Sequence, residues 1–269
     1  MANKEFHIVG AGLVGSLWAY LLKKKGFSVH VYEKRSDPRG QANQSGRSIN
    51  LIVTSRGLNG LKQAGLGQDI LAITVPVHGR LMHGLDGATN YQAYGRNNTE
   101  CNYAVSRADL NKKLIETCAD LGVAFHFNHE LSDIDIVNKR LQFNGSTSVP
   151  FHCVFSTDGA GSLVRKKLEA HDGQSYKESV SYLSSDYKEL YLPCDPAGKP
   201  LLEKNNLHIW PRGSHMLMAL ANQDNSFTLT LYLPKTNHKW SFDTLKTKDR
   251  VVKVPFRKFH CTKTSLKIF

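Results

Sequence analysis

The chain has 269 residues, 41% of them hydrophobic, and carries 35 Lys and Arg against 23 Asp and Glu, a formal charge of +12. That length calls for one large or two moderate domains, and no apolar run reaches the ~18–20 residues that a membrane span requires. Ten of the 35 basic residues lie from Lys235 to Lys267, against only Asp243 and Asp249, so the charge reads as a solvated tail and argues against a nucleic-acid partner.

The five cysteines, Cys101, Cys118, Cys153, Cys194 and Cys261, are odd in number and widely spaced, with no Cys-x-x-Cys pair. They suggest neither a disulfide framework nor a zinc site, and no metal is expected. The N-terminus runs almost directly into a strand and leaves no room for a signal peptide, so a reducing, cytoplasmic setting is expected.

The first stretch, Phe6-His-Ile-Val-Gly10-Ala-Gly12-Leu-Val-Gly15 running on to Val29-His-Val-Tyr-Glu33-Lys34-Arg35, reads as strand, glycine turn, helix, strand. Gly10 allows the sharp turn, Gly12 allows backbone to approach a pyrophosphate, and Gly15 allows the helix to pack on the sheet. The phosphates belong on the helix N-terminus. Glu33 lies 18 residues beyond Gly15, at the end of an alternating strand, where a carboxylate can accept hydrogen bonds from an adenosine ribose. The spacing therefore predicts a dinucleotide site.

A polar loop over 36–46 leads into Gly46-Arg-Ser-Ile-Asn-Leu51. A short helix follows over Gly57–Ala64, ended by Gly65-Leu-Gly67. Mixed turns and short strands occupy 69–105, where Gly79-Arg80-Leu-Met-His83 and Tyr91-Gln-Ala-Tyr94-Gly95 set polar or aromatic groups beside glycines. Ser106-Arg107-Ala-Asp109 reads as a capping-box variant. It opens a helix whose apolar face is Leu110, Leu114, Cys118 and Leu121, closed by Gly122. Strands over 123–127, 131–137 and 141–143, with an Asn144-Gly145 turn, read as a small antiparallel appendage on a parallel sheet.

Cys153-Val-Phe-Ser-Thr157-Asp158-Gly159-Ala-Gly-Ser162-Leu-Val-Arg165 returns to strand, tight turn and helix. Its acid stands at the carboxyl end of the strand, where open α/β sheets place ligands. From Tyr182 onward, strand-like runs over 189–192, 206–210, 216–221 and 227–233 alternate with turns and predict an antiparallel sheet. The expected fold class is α/β: a Rossmann-like nucleotide-binding domain over 1–180, with 69–105 on its substrate side, a partial antiparallel substrate domain over 181–234, and a basic tail over 235–269.

With Asp158-Gly159 the sequence resembles the class A flavoprotein aromatic hydroxylases. Within them it is most similar to the kynurenine 3-monooxygenase family, through Gly46–Leu51, Val105-Ser-Arg107, His126-Phe-Asn-His129 and Leu207-His-Ile-Trp-Pro-Arg212. The resemblance covers residues 6 to about 234. It implies a Rossmann-like FAD-binding domain, FAD and NADPH as cofactors, and O2 and L-kynurenine as the other reactants, with hydroxylation of the aromatic ring. Gly10, Gly12, Val14, Gly15, Glu33, Lys34 and Arg35 would hold the ADP half of FAD. Asp158 and Gly159 fall near the pyrophosphate and are tied to NADPH as well. Ile52, Arg107 and Leu131 match positions near the flavin, and Arg80 and Tyr94 match the pair that holds the substrate carboxylate. No general acid or base is implied.

Two departures accompany the resemblance. A later Gly-Asp motif of the family is absent, and past about Val252 the likeness is lost, so the chain reads as truncated and impaired in activity. The hydrophobic segment that anchors animal relatives to the mitochondrial outer membrane finds no match in these residues, so no membrane anchor is expected from them. Another aromatic acid is the alternative substrate, and a non-catalytic nucleotide-binding chain is the alternative of a different class.

Overall fold

The computed structural model describes residues 4–40, 49–97 and 99–246, and the backbone of 267–268. In chain order the elements begin with β1 (Glu5–Val9), α1 (Leu13–Lys24), β2 (Ser28–Glu33), β3 (Asn50–Val53), α2 (Ser55–Ala64), α3 (Gly67–Leu71) and β4 (Val75–Val77). Next come β5 (Gly79–His83), β6 (Thr89–Ala93), β7 (Asn102–Ser106), α4 (Arg107–Asp120), β8 (Ala124–Phe127), β9 (Leu131–Asp135), β10 (Arg140–Phe143) and β11 (Thr147–Pro150). The last are β12 (Cys153–Ser156), α5 (Leu163–His171), β13 (Ser185–Leu192), β14 (Asn206–Arg212), β15 (His215–Ala221), β16 (Phe227–Pro234) and β17 (Lys267–Ile268). Among the described residues no helix is long and apolar enough to cross a membrane.

Contacts divide the chain into two units, Met1–Asn43 with Asp109–Val180 and Gln44–Ala108 with Ser181–Phe269. The segment 44–108, expected inside a first domain over 1–180, therefore makes its contacts in the second unit. The reason is strand pairing across a long sequence separation: Arg80 of β5 lies opposite Leu207 of β14.

The first unit is built on a parallel sheet in the order β12-β1-β2-β8. One face presents Phe6, Ile8, Val29 and Val31 by alternation, and Trp18 of α1 meets Phe155 on that side at 5.3 Å between ring centroids. The other face carries Val9 and Tyr32, which close a core with Ile134, Leu141, Phe143 and Val164. Of the three strands expected in the antiparallel appendage, the first belongs to the parallel sheet instead, since β8 pairs with β2 as Val31 opposite Phe125. Only β9, β10 and β11 form the antiparallel layer. Its turn after Phe143 uses positive φ at Gly145 and Ser146.

In α4 the expected stripe buries Leu110, Leu114 and Cys118, whereas Leu121 lies past the helix end and is exposed. The Cys118 thiol donates to the Ser16 carbonyl at 3.1 Å, and burial pushes its pKa up to about 12. It is a packing residue. Ser106 ends β7 and the helix begins at Arg107.

The second unit holds a seven-stranded sheet, β17-β13-β16-β15-β14-β5-β6, and a three-stranded one, β3-β7-β4. Strands β13 to β16 are antiparallel as expected, and β5 joins β14 in parallel. Alternation buries Leu217, Ala219, Phe227, Leu229, Leu231, Leu190 and Leu192 in one core. Burying one such Leu or Phe side chain stabilises by roughly 1.5–3 kcal/mol. Leu58 and Leu61 of α2 are buried, and Gly65 ends that helix in the left-handed region.

Candidate functional site

The glycine turn of the first unit is set between β1 and α1 by contacts that leave no room for side chains. Gly10 has φ +100°, and a Cβ there would lie 2.5 Å from the Thr157 carbonyl oxygen. A Cβ on Gly15 would lie 2.0 Å from the Gly10 carbonyl oxygen. Thr157 closes the junction, its hydroxyl donating to the carbonyls of Val9 and Gly10 at 2.8 Å each.

Gly12 differs from both. It is the N-cap of α1, and a Cβ there would meet no atom within 4 Å among the described residues beyond its chain neighbours. The helix has no acidic residue in its first turn and no side-chain bond to its cap. The first backbone N–H groups of a helix have no acceptor inside it, and the helix dipole adds partial positive charge at that end. An anion can therefore approach the backbone at Gly12. Val14, in the same first turn, is 70% exposed.

Glu33 ends β2 beside this turn. One carboxylate oxygen accepts from the Ala11 N–H at 2.9 Å and the other from the Arg35 N–H at 3.0 Å. A carboxylate offers about four lone-pair sites, so these bonds fix its orientation and leave capacity for ribose hydroxyls. Lys34 and Arg35 are exposed. The chain after β8 is tied to the same end, through His129 N–H to the Glu33 carbonyl at 2.9 Å and Asn128 N–H to the Arg35 carbonyl at 3.0 Å. That tie brings Leu131 to the end of β2, where its side chain is partly buried against the core of Ile134 and Phe143.

Asp158 serves the second strand-to-helix turn. Its carboxylate accepts from the hydroxyls of Ser156 and Ser162 and from the Leu163 N–H at 2.8 Å, so it caps α5. Burial by itself raises its pKa, but the hydroxyl and backbone donors outweigh that and hold the group below the usual carboxylate range. Gly159 follows with φ +85°.

In the second unit, Arg80 of β5 and Tyr94 just past β6 come together. The Arg80 Nε donates to the Tyr94 phenol oxygen at 3.3 Å, and the guanidinium carbon stands 5.3 Å from the ring centroid. Arg80 makes no ion pair with a carboxylate among the described residues. The same sheet face carries Met82, Ile209 and Met218 by register. Ile52 packs partly buried against the core of this unit, and Arg107 has an exposed side chain while its N–H donates to the Ile49 carbonyl at 3.0 Å.

The candidate residues are thus divided. Gly10, Gly12, Val14, Gly15, Glu33, Lys34, Arg35, Leu131, Asp158 and Gly159 belong to the first unit, and Ile52, Arg80, Tyr94 and Arg107 to the second. Sequence reasoning passed over Thr157, whose only signal was its place before Asp158-Gly159. It also passed over Asn50, which donates to the carbonyls of Leu220 and Ala221 and to the Asn222 side chain at 2.9 Å. Its signal was membership of the Gly46–Leu51 motif, of which 46–48 lie outside the described residues.

An open glycine turn on an uncompensated helix end, with an oriented carboxylate at the neighbouring strand end, is the geometry of a dinucleotide-binding fold. The chain belongs to the FAD binding domain family, whose model matches residues 4–243. It is 39% identical over 254 residues to the kynurenine 3-monooxygenase of Flavobacterium psychrophilum, covering 93% of this chain and 56% of that protein. It is 41% identical over 253 residues to the kynurenine 3-monooxygenase of Dictyostelium discoideum, covering 93% and 54%. The chain therefore spans little more than half the length of these relatives. Among solved structures it is similar in fold to 2-methyl-3-hydroxypyridine-5-carboxylic acid oxygenase, with TM-score 0.69, 20% identity, and 87% of this chain and 60% of that one covered. PqsL of Pseudomonas aeruginosa, a probable FAD-dependent monooxygenase, aligns with TM-score 0.66 and 16% identity over 86% of this chain and 61% of that one.

Proposed function

We propose that this chain serves the FAD- and NADPH-dependent hydroxylation of L-kynurenine to 3-hydroxykynurenine. When bound, FAD supplies the redox chemistry, with NADPH as reductant and O2 as the oxygen source. The open approach at Gly12 fits a pyrophosphate, held by the backbone N–H groups that begin α1, while Glu33 takes ribose hydroxyls, Lys34 and Arg35 flank the adenosine, and Leu131 is kept as the flavin-side position that the resemblance implies. Asp158 and Gly159 act through shape, keeping the turn that carries Thr157 locked on Val9 and Gly10.

For the substrate, the pairing of Arg80 with Tyr94 carries the reading. A guanidinium grips a carboxylate with two parallel N–H donors, and a phenol adds a neutral one. With the Nε of Arg80 turned to Tyr94, its terminal nitrogens can meet the amino-acid carboxylate of kynurenine. Met82, Ile209 and Met218 offer an apolar floor for the aromatic ring. These residues position and desolvate the substrate, and none of them is asked to move a proton.

The test is to load the 269-residue chain with FAD and titrate it with L-kynurenine and with its amine analogue lacking the carboxylate, following the flavin absorption band. The expected result is binding of L-kynurenine tighter by roughly tenfold to a hundredfold, the range of a charge-assisted hydrogen bond. Equal affinity for the two compounds in a flavin-loaded chain would overturn the carboxylate clamp.

A further inference from the structure

Behind Arg80, on the opposite face of β5, the strand is fastened to β14 by a pair of histidines that the binding reading does not use. His208 is 1% exposed. Its Nε2 lies 2.8 Å from the Glu203 carbonyl oxygen and its Nδ1 lies 3.0 Å from the Nε2 of His83. A carbonyl only accepts, so His208 carries its proton on Nε2, and its Nδ1 accepts from the His83 Nε2–H.

His83 also stacks on Trp210, with ring centroids 4.2 Å apart and planes inclined by 8°. The Arg212 guanidinium donates to the His83 backbone carbonyl at 2.9 Å. All three β14 partners fall in Leu207-His-Ile-Trp-Pro-Arg212, and β5 is Gly79-Arg-Leu-Met-His83. The charged and titratable groups facing His83 are His208 and Arg212; burial first, then these two, hold its pKa at about 4. Burial likewise lowers that of His208. Both rings are therefore neutral near pH 7, and one hydrogen bond satisfies the buried acceptor.

We infer that His83 and His208 are positioning residues for the carboxylate clamp, a lock that holds β5, with Tyr94 tied to it through the His78 carbonyl, against β14, so that Arg80 and Tyr94 keep their place relative to Ile209 and Met218. The inference rests on the reading of Arg80 and Tyr94 as that clamp. Without the His83 donor, the buried Nδ1 of His208 is left unpaired, at a cost that the strand can relieve only by shifting.

The experiment compares the FAD-loaded wild-type chain with His83→Phe, which keeps a stacking ring without a donor, and His83→Gln, which keeps a donor without an imidazole. Hydrogen exchange of β5, nitrogen-15 spectra of the histidines, and affinities for FAD and L-kynurenine are measured at pH 7. Expected are the Nε2–H tautomer of His208 in the wild type, faster β5 exchange and roughly tenfold weaker kynurenine binding in His83→Phe, unchanged FAD affinity, and recovery in His83→Gln. The tenfold figure corresponds to about 1.4 kcal/mol, one ordinary hydrogen bond. A proton on Nδ1 of His208, or unchanged β5 exchange in His83→Phe, overturns the lock and leaves the clamp standing. A wild-type chain that binds FAD but not L-kynurenine overturns the clamp, and this inference with it, whatever the exchange data show.

Discussion

At the scale of single residues, the three glycines of the turn separate into two kinds, and the difference is measurable. Gly10 and Gly15 are surrounded by protein, with a Cβ brought to 2.5 Å and 2.0 Å of backbone oxygens. Among the described residues beyond its chain neighbours, Gly12→Val meets no atom within 4 Å of the new Cβ, so its fold should survive while FAD affinity is lost, because the branched side chain takes the space proposed for the pyrophosphate. Equilibrium dialysis with FAD, beside a circular dichroism melt, checks both halves; a folded variant with wild-type FAD affinity would remove Gly12 from the site. Gly15→Ala should instead lower the melting temperature, since the Gly10 carbonyl and Thr157 hydroxyl must both move. Arg80→Ala is expected to weaken L-kynurenine binding by roughly tenfold to a hundredfold, with FAD affinity unaltered. Tyr94→Phe removes only a neutral donor and should cost less. If titration of the flavin spectrum gives the wild-type constant for both variants, the carboxylate binds elsewhere.

At the scale of elements, α1 and α5 begin alike, after a parallel strand and a glycine turn, yet their ends differ in charge balance. Asp158 and Ser162 cap α5, with the Ser162 hydroxyl accepting from the Arg165 N–H at 3.0 Å. The end of α1 has no such side chain. Asp158→Ala should destabilise the first unit by about 0.5–2 kcal/mol, the usual loss on removing a helix cap, read as a lower urea midpoint at pH 7. The pKa of Asp158 is held below its ordinary value in the fold. Its contribution is thus present above about pH 4, the unfolded carboxylate value, and is lost as pH falls through the lowered one. Asp158→Asn should flatten that part of the stability profile. An unchanged acid slope in Asp158→Asn would assign it to other carboxylates.

At the scale of the whole molecule, buried histidines make the chain acid-sensitive. On one face of the parallel sheet, His7 bonds Tyr32 at 3.3 Å and Glu5 at 3.1 Å, and His30 bonds His126 at 3.1 Å. Burial is the first cause that lowers the pKa of His7 and of His126, with neighbouring imidazoles adding to it. In the second unit burial also lowers His208 and His215, and His83 to about 4. The rings of His7, His126, His83, His208 and His215 are therefore neutral in the fold near pH 7, whereas the unfolded chain takes up protons below about pH 6.5. Their stabilising effect is therefore complete above that pH and declines from about 6.5 toward 4. The slope is at most about 1.4 kcal/mol per pH unit for each histidine, less for the partly exposed rings because solvent screens them. Urea denaturation at pH 7, 6 and 5 should show a steadily falling midpoint, and a midpoint independent of pH over that range would contradict the assignment.

Much of this was legible in the sequence where the signal is local. The glycine turn, the distance to Glu33, the stripe of α4 and the Asn144-Gly145 turn depend on contacts within a few residues, so periodicity and turn chemistry suffice to place them. The pairing of strands carries no such signature. That β8 joins β2 in parallel, that 44–108 is paired into the second unit, and that Arg80 stands beside Tyr94 with His83 fastened to His208 all follow from contacts between residues far apart in the chain. By itself the sequence determined a nucleotide turn and a list of candidate side chains. Only the tertiary structure decided which of them share a unit and which, like Thr157, Asn50 and His208, hold the others in place, because sheet register is settled by the burial of distant partners together and no short stretch of chain encodes it.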